Sequence, residues 1–218
     1  MFYSTVTNDH GLPRDPFKSL AVPRPIGWVS SKGSAGNINL APYSFFNAIS
    51  DKPHYVVFGS LGLKDTVANI METGEFVCSM ATYTNRDTQN VTSVAVSRET
   101  NEFDVAGLEM AASEMVAPPR VANAPVSFEC RLWKMFDLPP AVPGGAPGYT
   151  MVVGHIAGIY IDDAYIKDGY VDTSSMQPIA RLGYMDYAVV SADSTFTIER
   201  PVVGPDGSVT IPASAGKA

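Results

Sequence analysis

The sequence predicts a mainly β domain with a few added helices, and three observations carry that prediction. First, Ile26-Gly27-Trp28-Val29-Ser30-Ser31 and Asn37-Ile38-Asn39-Leu40-Ala41-Pro42-Tyr43 are rich in β-formers and flank Lys32-Gly33-Ser34-Ala35-Gly36, a turn composition. Second, two long strand-like runs, 125–136 and 149–161, flank a Pro/Gly segment at 137–148 as the arms of a second hairpin. Third, helical spacing is confined to short segments, the clearest at 64–74.

The elements follow in order. Pro42 cannot donate a ladder hydrogen bond, so the second strand must bend, bulge or end there. Backbone groups freed at such a break can bond a ligand. Residues 64–74 form a short helix in which Val67, Ile70 and Met71 share a face. Asp65 or Thr66 suits its N-cap, and Gly74 suits the position just past its end. Residues 75–81 follow as a strand. Residues 84–95, polar with scattered apolar positions, are expected as a helix over one end of the β structure. A turn or short helix is expected at 101–108, and a Pro-rich connector at 115–121. A loop as long as 137–148 is expected to move or to reach a subunit interface. Beyond Pro201 the chain is a polar tail of small residues.

At 218 residues the chain fits one domain, 1–218, long enough to bury a core without disulfides. The formal net charge is −7 and the sequence pI is about 4.9. That balance argues against nucleic-acid partners, which need a basic face, and against an anionic membrane surface. Cys78 and Cys130, the only cysteines, lie in apolar strand-like runs and have no metal-ligand spacing. They are expected as buried free thiols in a reducing compartment. The N-terminal segment lacks the pattern of a signal peptide, and the apolar run 149–161 is too short to span a bilayer. The expected location is the cytoplasm. No G-x-S-x-G elbow, HExxH, P-loop or GxGxxG turn occurs, and three histidines form no metal-binding cluster. Hydrolase, metalloenzyme and Rossmann dehydrogenase chemistry therefore lack support.

Two regions carry candidate binding chemistry. Lys64-Asp65-Thr66 opens the short helix, whose N-terminus offers unpaired N–H groups and partial positive charge for a phosphate. Lys64 adds a full charge and Thr66 a hydroxyl, while Asp65 suits capping better than phosphate binding. An ordinary helix start with a solvated Lys is the other reading of the triplet. Upstream, Ser44 and Asn47 offer donors and acceptors among Trp28, Phe45 and Phe46, rings able to pack on an aromatic face. Taken singly, these rings also suit a core and the polar pair suits a turn. Together the regions fit a ligand with a flat aromatic head, a polyhydroxylated middle and a phosphate tail. Late in the chain Arg181 sits in a second polar-aromatic cluster, able to bind a phosphate, to pair with Asp186 or to cap a loop.

The chain resembles the flavin reductase-like family, whose domain is an FMN-binding split barrel. The resemblance rests on PRPIGWVSS at 23–31, NLAPYSFFN at 39–47, KDT at 64–66, EFDVAGL at 102–108, VGHIAGIYID at 153–162 and PIARLGYMDYAVV at 178–190. It runs over about 11–201, leaving 202–218 as a tail. It implies a six-stranded antiparallel Greek-key barrel with added helices, a homodimer, and FMN near the subunit interface, where the tail would be an arm.

By resemblance, Lys64 and Thr66 hold the phosphate and Asp65 lies beside it. Ser30, Ser31, Ser44 and Asn47 lie along the ribityl chain and ring edge. The backbone from Asn39 through Ala41 to Tyr43 faces the isoalloxazine, and Arg181 has a role near the site. The implied activity is that of an NAD(P)H:flavin reductase, hydride passing from nicotinamide to flavin N5, with NAD(P)H as donor and FMN, or FAD in its place, as cofactor. That step requires no side-chain acid or base. His155, between Gly154 and Ile156, is the one catalytic candidate, as a group positioning nicotinamide; a core or interface histidine is its other reading. A flavin-dependent monooxygenase is the expected partner if reduced flavin is released. A non-enzymatic FMN-binding electron carrier is the alternative.

Overall fold

The computed structural model describes residues 1–140, 142, 144, 145 and 148–212. Its main feature is one antiparallel sheet of seven strands. These are β1 (Gly27–Lys32), β2 (Ile38–Tyr43), β3 (Phe46–Asp51), β4 (His54–Leu61), β5 (Glu75–Met80), β6 (Val126–Asp137) and β7 (Tyr149–Ile161). The spatial order is β2-β1-β5-β6-β7-β4-β3, so β2 and β3 are the two edges. They are also consecutive in sequence, separated only by Ser44 and Phe45. The Gly59 N–H donates to Phe45 O at 2.8 Å, carrying the β4 ladder into the bend. One bent strand thus serves both edges, and the sheet closes as the expected six-stranded split barrel.

Pro42 does not end β2. It stands opposite Trp28 in the ladder, and the bend comes just past it. A proline is tolerated there because β2 pairs with β1 alone, leaving its other side without a sheet partner.

The barrel interior is filled by Val29, Tyr43, Val56, Phe58, Phe76, Cys78, Cys130 and Val152. Phe76 crosses to β7 at Gly154, where an added Cβ would lie 2.3 Å from the ring, so only glycine fits. The cysteines are buried free thiols, and burial pushes the Cys130 thiol up. Outside the barrel wall, Trp28 and Leu40 pack with Phe103, Val121 and Ala124.

Helix α1 (Asp65–Thr73) closes one barrel end with Val67 and Ile70. Its N-cap is Lys64 rather than Asp65 or Thr66, and no side chain caps it. Gly74 adopts the left-handed conformation just past the end, its N–H returning to Ile70 O at 2.8 Å. The expected helix at 84–95 is shorter, α2 (Arg86–Val91), and α3 (Glu102–Ala106) lies within 101–108 as expected. Glu72 of α1 accepts from Ser34 N–H, Ser34 Oγ and Arg98, fixing the first hairpin turn to the helix. These bonds, the Ser34 N–H foremost, hold its carboxyl down at about 2.

A second, small sheet pairs Arg24–Pro25 with Ile179–Arg181 and the latter with Tyr187–Val189. The resemblance was silent on it. The tail carries a two-stranded hairpin at Val202–Val203 and Val209–Thr210; residues 213–218, and part of the 137–148 loop, lie outside the described residues.

Candidate functional site

A cavity of about 530 Å³ opens where the bend between β2 and β3 meets the N-terminus of α1. The bend contributes Asn39, Ala41, Pro42, Tyr43, Ser44 and Phe45, and the helix start contributes Lys64, Asp65 and Thr66. Barrel closure explains the meeting: β4 runs alongside the bend and leads through Gly62 directly into α1. Gly62 takes φ +70°, a turn that a side chain would strain.

Thr66 is buried and joined to Asn39 at 2.7 Å. The Asn39 amide is best satisfied with its nitrogen donating to Glu102 Oε1 at 3.2 Å and its oxygen accepting from the Thr66 hydroxyl. Glu102 Oε2 accepts from Leu40 N–H at 2.9 Å. Burial raises the Glu102 carboxyl, with the Leu40 N–H pulling the other way. Protonation of Glu102 would let it donate to the Asn39 oxygen. Asn39 would then donate to Thr66, freeing the Thr66 proton for a ligand. Tyr43 is 6% exposed and its hydroxyl has no hydrogen-bond partner among the described residues. Burial pushes its phenol up; the nearby Thr66 and Ser60 hydroxyls oppose that shift without reaching bonding geometry. That hydroxyl is sealed from solvent, with the Tyr43 side chain packed in the barrel interior.

The structure brings Asn39, Ala41, Tyr43, Ser44, Phe45, Lys64, Asp65 and Thr66 together, but not the other candidates. Trp28 is fully buried in the outer core, its indole N–H donating to Thr92 Oγ1 at 2.9 Å. Ser30 is buried and donates to Pro119 O, and Ser31 accepts from Asn69 at 3.2 Å. Neither lines the cavity. Asn47 is exposed on β3, past the bend. His155 stacks edge-on against Tyr55 on the barrel wall, away from the cavity, in keeping with its structural reading. Arg181 lines an adjoining cavity instead; it donates to Tyr184 O and lies 4.4 Å from the Tyr187 ring centroid. It caps a loop and makes no ion pair with Asp186 among the described residues.

Sequence reasoning missed Lys18, Glu102, Tyr149 and residues 92–96, all of which line the cavity. Lys18 and Glu102 reach it from distant, very short helices. Residues 92–96 follow α2 where the expected helix fails to continue. Only the helix stopping at Val91 would have exposed their backbone, and no breaker residue signals that stop.

Comparison with known proteins agrees with this architecture. The family model described as Flavin reductase like domain matches residues 19–179. An uncharacterized protein of Halalkalibacterium halodurans is 32% identical over 188 residues, 84% of this chain and 88% of that protein. Nitrilotriacetate monooxygenase component B from Bacillus cereus superposes with a TM-score of 0.80 at 25% identity, over 91% of this chain and 99% of its own. The 2-nitrobenzoate 2-nitroreductase NbaA of Pseudomonas fluorescens superposes with a TM-score of 0.78 at 25% identity, over 99% of this chain and 100% of its own. With a family match over most of its length and the split barrel in place, this chain belongs to the flavin reductase-like family.

Proposed function

We propose that the chain binds FMN in the cavity beneath the β2–β3 bend and works as an NAD(P)H:flavin oxidoreductase. The observation that carries this reading is the convergence of Lys64 and Thr66, at a helix N-terminus, with a bent strand offering Asn39, Tyr43 and Ser44 in one cavity. The residues fit the group. Lys64 and the first N–H groups of α1 suit a phosphate, and Ser44 suits a ribityl hydroxyl. The cavity lies within the size range of small-ligand sites. Phe45, held edge-on by Tyr149, walls the side toward the bend.

When bound, FMN supplies the hydride chemistry; the protein's part is to bind, orient and exclude water. No described residue of the 137–148 loop or of the tail lines the cavity, which favours the reductase over a carrier with a covered site. FAD is the alternative cofactor and a flavin-dependent monooxygenase the proposed recipient of reduced flavin. The test is steady-state oxidation of NADH and NADPH with FMN or FAD added. A flavin-dependent rate supports the reading, and none at any flavin concentration refutes it.

We also infer a homodimer. Leu63 and Met71 are 70% and 62% exposed and rim an apolar hollow of about 700 Å³ with Leu132, Met135 and Phe136. Leu63 lines the flavin cavity as well, so a partner on this face would sit beside it. Light scattering in solution at twice the chain mass supports this; a monomer contradicts it.

A further inference from the structure

Next to the proposed flavin cavity lies a second one of about 370 Å³, sharing Lys18, Pro42, Ser44 and Ser93 with it. Three cations line this basin, Lys18, Arg24 and Arg181, and among the described residues no carboxylate does. The chain as a whole carries −7, so the concentration of positive charge is local.

Arg24 and Arg181 are direct partners across the small antiparallel sheet. Like charges in that register repel. Arg24 is only 8% exposed; its guanidinium donates to Lys18 O, to Ala21 O at 2.9 Å and to Leu182 O at 2.6 Å. All three acceptors are neutral carbonyls, and Nε has no partner. Arg181 likewise bonds a carbonyl, Tyr184 O. Burial first, and then Arg181, push the Arg24 guanidinium down. Lys18 is brought to the rim because the turn Phe17–Leu20 lies on Gly183, where an added Cβ would stand 1.8 Å from Ser19 Oγ. An unbalanced, half-buried pair of guanidiniums is costly unless an anion joins it.

We propose that Lys18, Arg24 and Arg181 form an anion-binding basin for a phosphate or carboxylate of the second substrate, the molecule that shares the groove with the flavin. The assignment of that anion to a second substrate rests on the flavin reading above; the basin's affinity for anions does not. The basin continues through Asn90, Arg181, Met185 and Tyr187 into a further cavity walled by Tyr83 and Tyr187. Each ring carries an arginine on one face, Arg86 on Tyr83 and Arg181 on Tyr187, and both remain partly exposed to the flat remainder of such a substrate.

The experiment is calorimetric titration of inorganic pyrophosphate at low salt. It uses the full chain carrying Lys64→Ala and Thr66→Ala, so that the proposed flavin-phosphate site does not contribute. Pyrophosphate should bind, and adding Lys18→Gln and Arg181→Gln should weaken it by about tenfold or more. Arg24 is left alone because it ties three segments together. Arg181→Gln made alone should leave FMN affinity within about twofold, because Arg181 lines the basin and not the flavin cavity. Displacement of pyrophosphate by NADP⁺ identifies a dinucleotide phosphate as the natural anion; displacement by benzoate alone identifies a carboxylate. Absence of pyrophosphate binding, or binding indifferent to Lys18 and Arg181, overturns the basin. Failure of both NADP⁺ and benzoate to compete overturns its assignment to a second substrate. A loss of FMN affinity in the Arg181→Gln variant would give the basin to the flavin phosphate instead. If FMN binds nowhere, the flavin reading fails, while the pyrophosphate result still decides the basin.

Discussion

The two ends of the groove are built in opposite ways. At the proposed flavin end, the groups assigned to the cofactor come from two short stretches, residues 39–45 and 64–66, delivered by one bent strand and one helix start, with Lys18, residues 92–96, Glu102 and Tyr149 completing the walls. At the cationic end, Lys18, Arg24, Gln89 and Arg181 come from separate parts of the chain and meet only through the small sheet and the turn resting on Gly183. Local construction ties a site to the barrel itself. Assembly from distant segments ties it to peripheral pieces that can alter without disturbing the core.

Separate disabling of the two ends tests that contrast. The largest effect is expected from Lys64→Ala with Thr66→Ala. Loss of a charge-assisted and a hydroxyl hydrogen bond should weaken FMN by about 100-fold, with the barrel still folded by circular dichroism. Unchanged binding would mean that the phosphate lies elsewhere. Gly183→Ala should come next. Its Cβ cannot coexist with Ser19, so the Phe17–Leu20 turn must shift, at a cost of about 1–2 kcal/mol in urea denaturation. Pyrophosphate affinity should fall further than FMN affinity; equal loss of both would show that the ends are one unit.

A smaller effect separates Glu102 from Glu72. Burial raises Glu102, so the folded state binds its proton more tightly than the unfolded chain does. That group's contribution is greatest at low pH and declines as pH rises above the ordinary 4.5. Glu72 runs the other way: held down to about 2, it contributes above 4.5 and is lost as pH falls toward 2. Glu102→Gln should therefore flatten the decline of Tm with rising pH above 4.5, and Glu72→Gln should lower Tm at neutral pH. A Glu102→Gln profile parallel to wild type would contradict the assignment. The smallest effect belongs to Asn47→Ala, which should leave FMN affinity within about twofold, because Asn47 lies outside the cavity.

That last case marks what was legible in the sequence. Strand alternation, the turn at 33–36 and the helical face at 64–74 are local signals, and the structure places those elements within a residue or two of expectation. Pro42 announced a break, yet its edge position let the strand run on before bending at Ser44. The family resemblance sets Ser30, Ser31 and Asn47 beside Ser44 along one ligand chain. Strand geometry divides them: Ser30 and Ser31 pair with β5 and are buried, while Asn47 passes the bend. Glu102 and Lys18 gave no signal, since an acidic residue beside Phe103 or a lysine in a single helical turn is ordinary. Arg24 was visible within the PRPIGWVSS motif, but only the pairing of residues 24–25 with 179–181 sets it opposite Arg181.

The central claim is that the cavity at the bend holds a flavin reducible by a nicotinamide. We would load the purified protein with FMN, remove unbound flavin and oxygen, and add NADH or NADPH while recording the visible spectrum. Rapid bleaching of the protein-bound flavin band, lost together with the bound flavin in the Lys64→Ala/Thr66→Ala variant, is the predicted result. A loaded protein that stays oxidised with both donors would contradict the oxidoreductase account and leave a flavin carrier in its place.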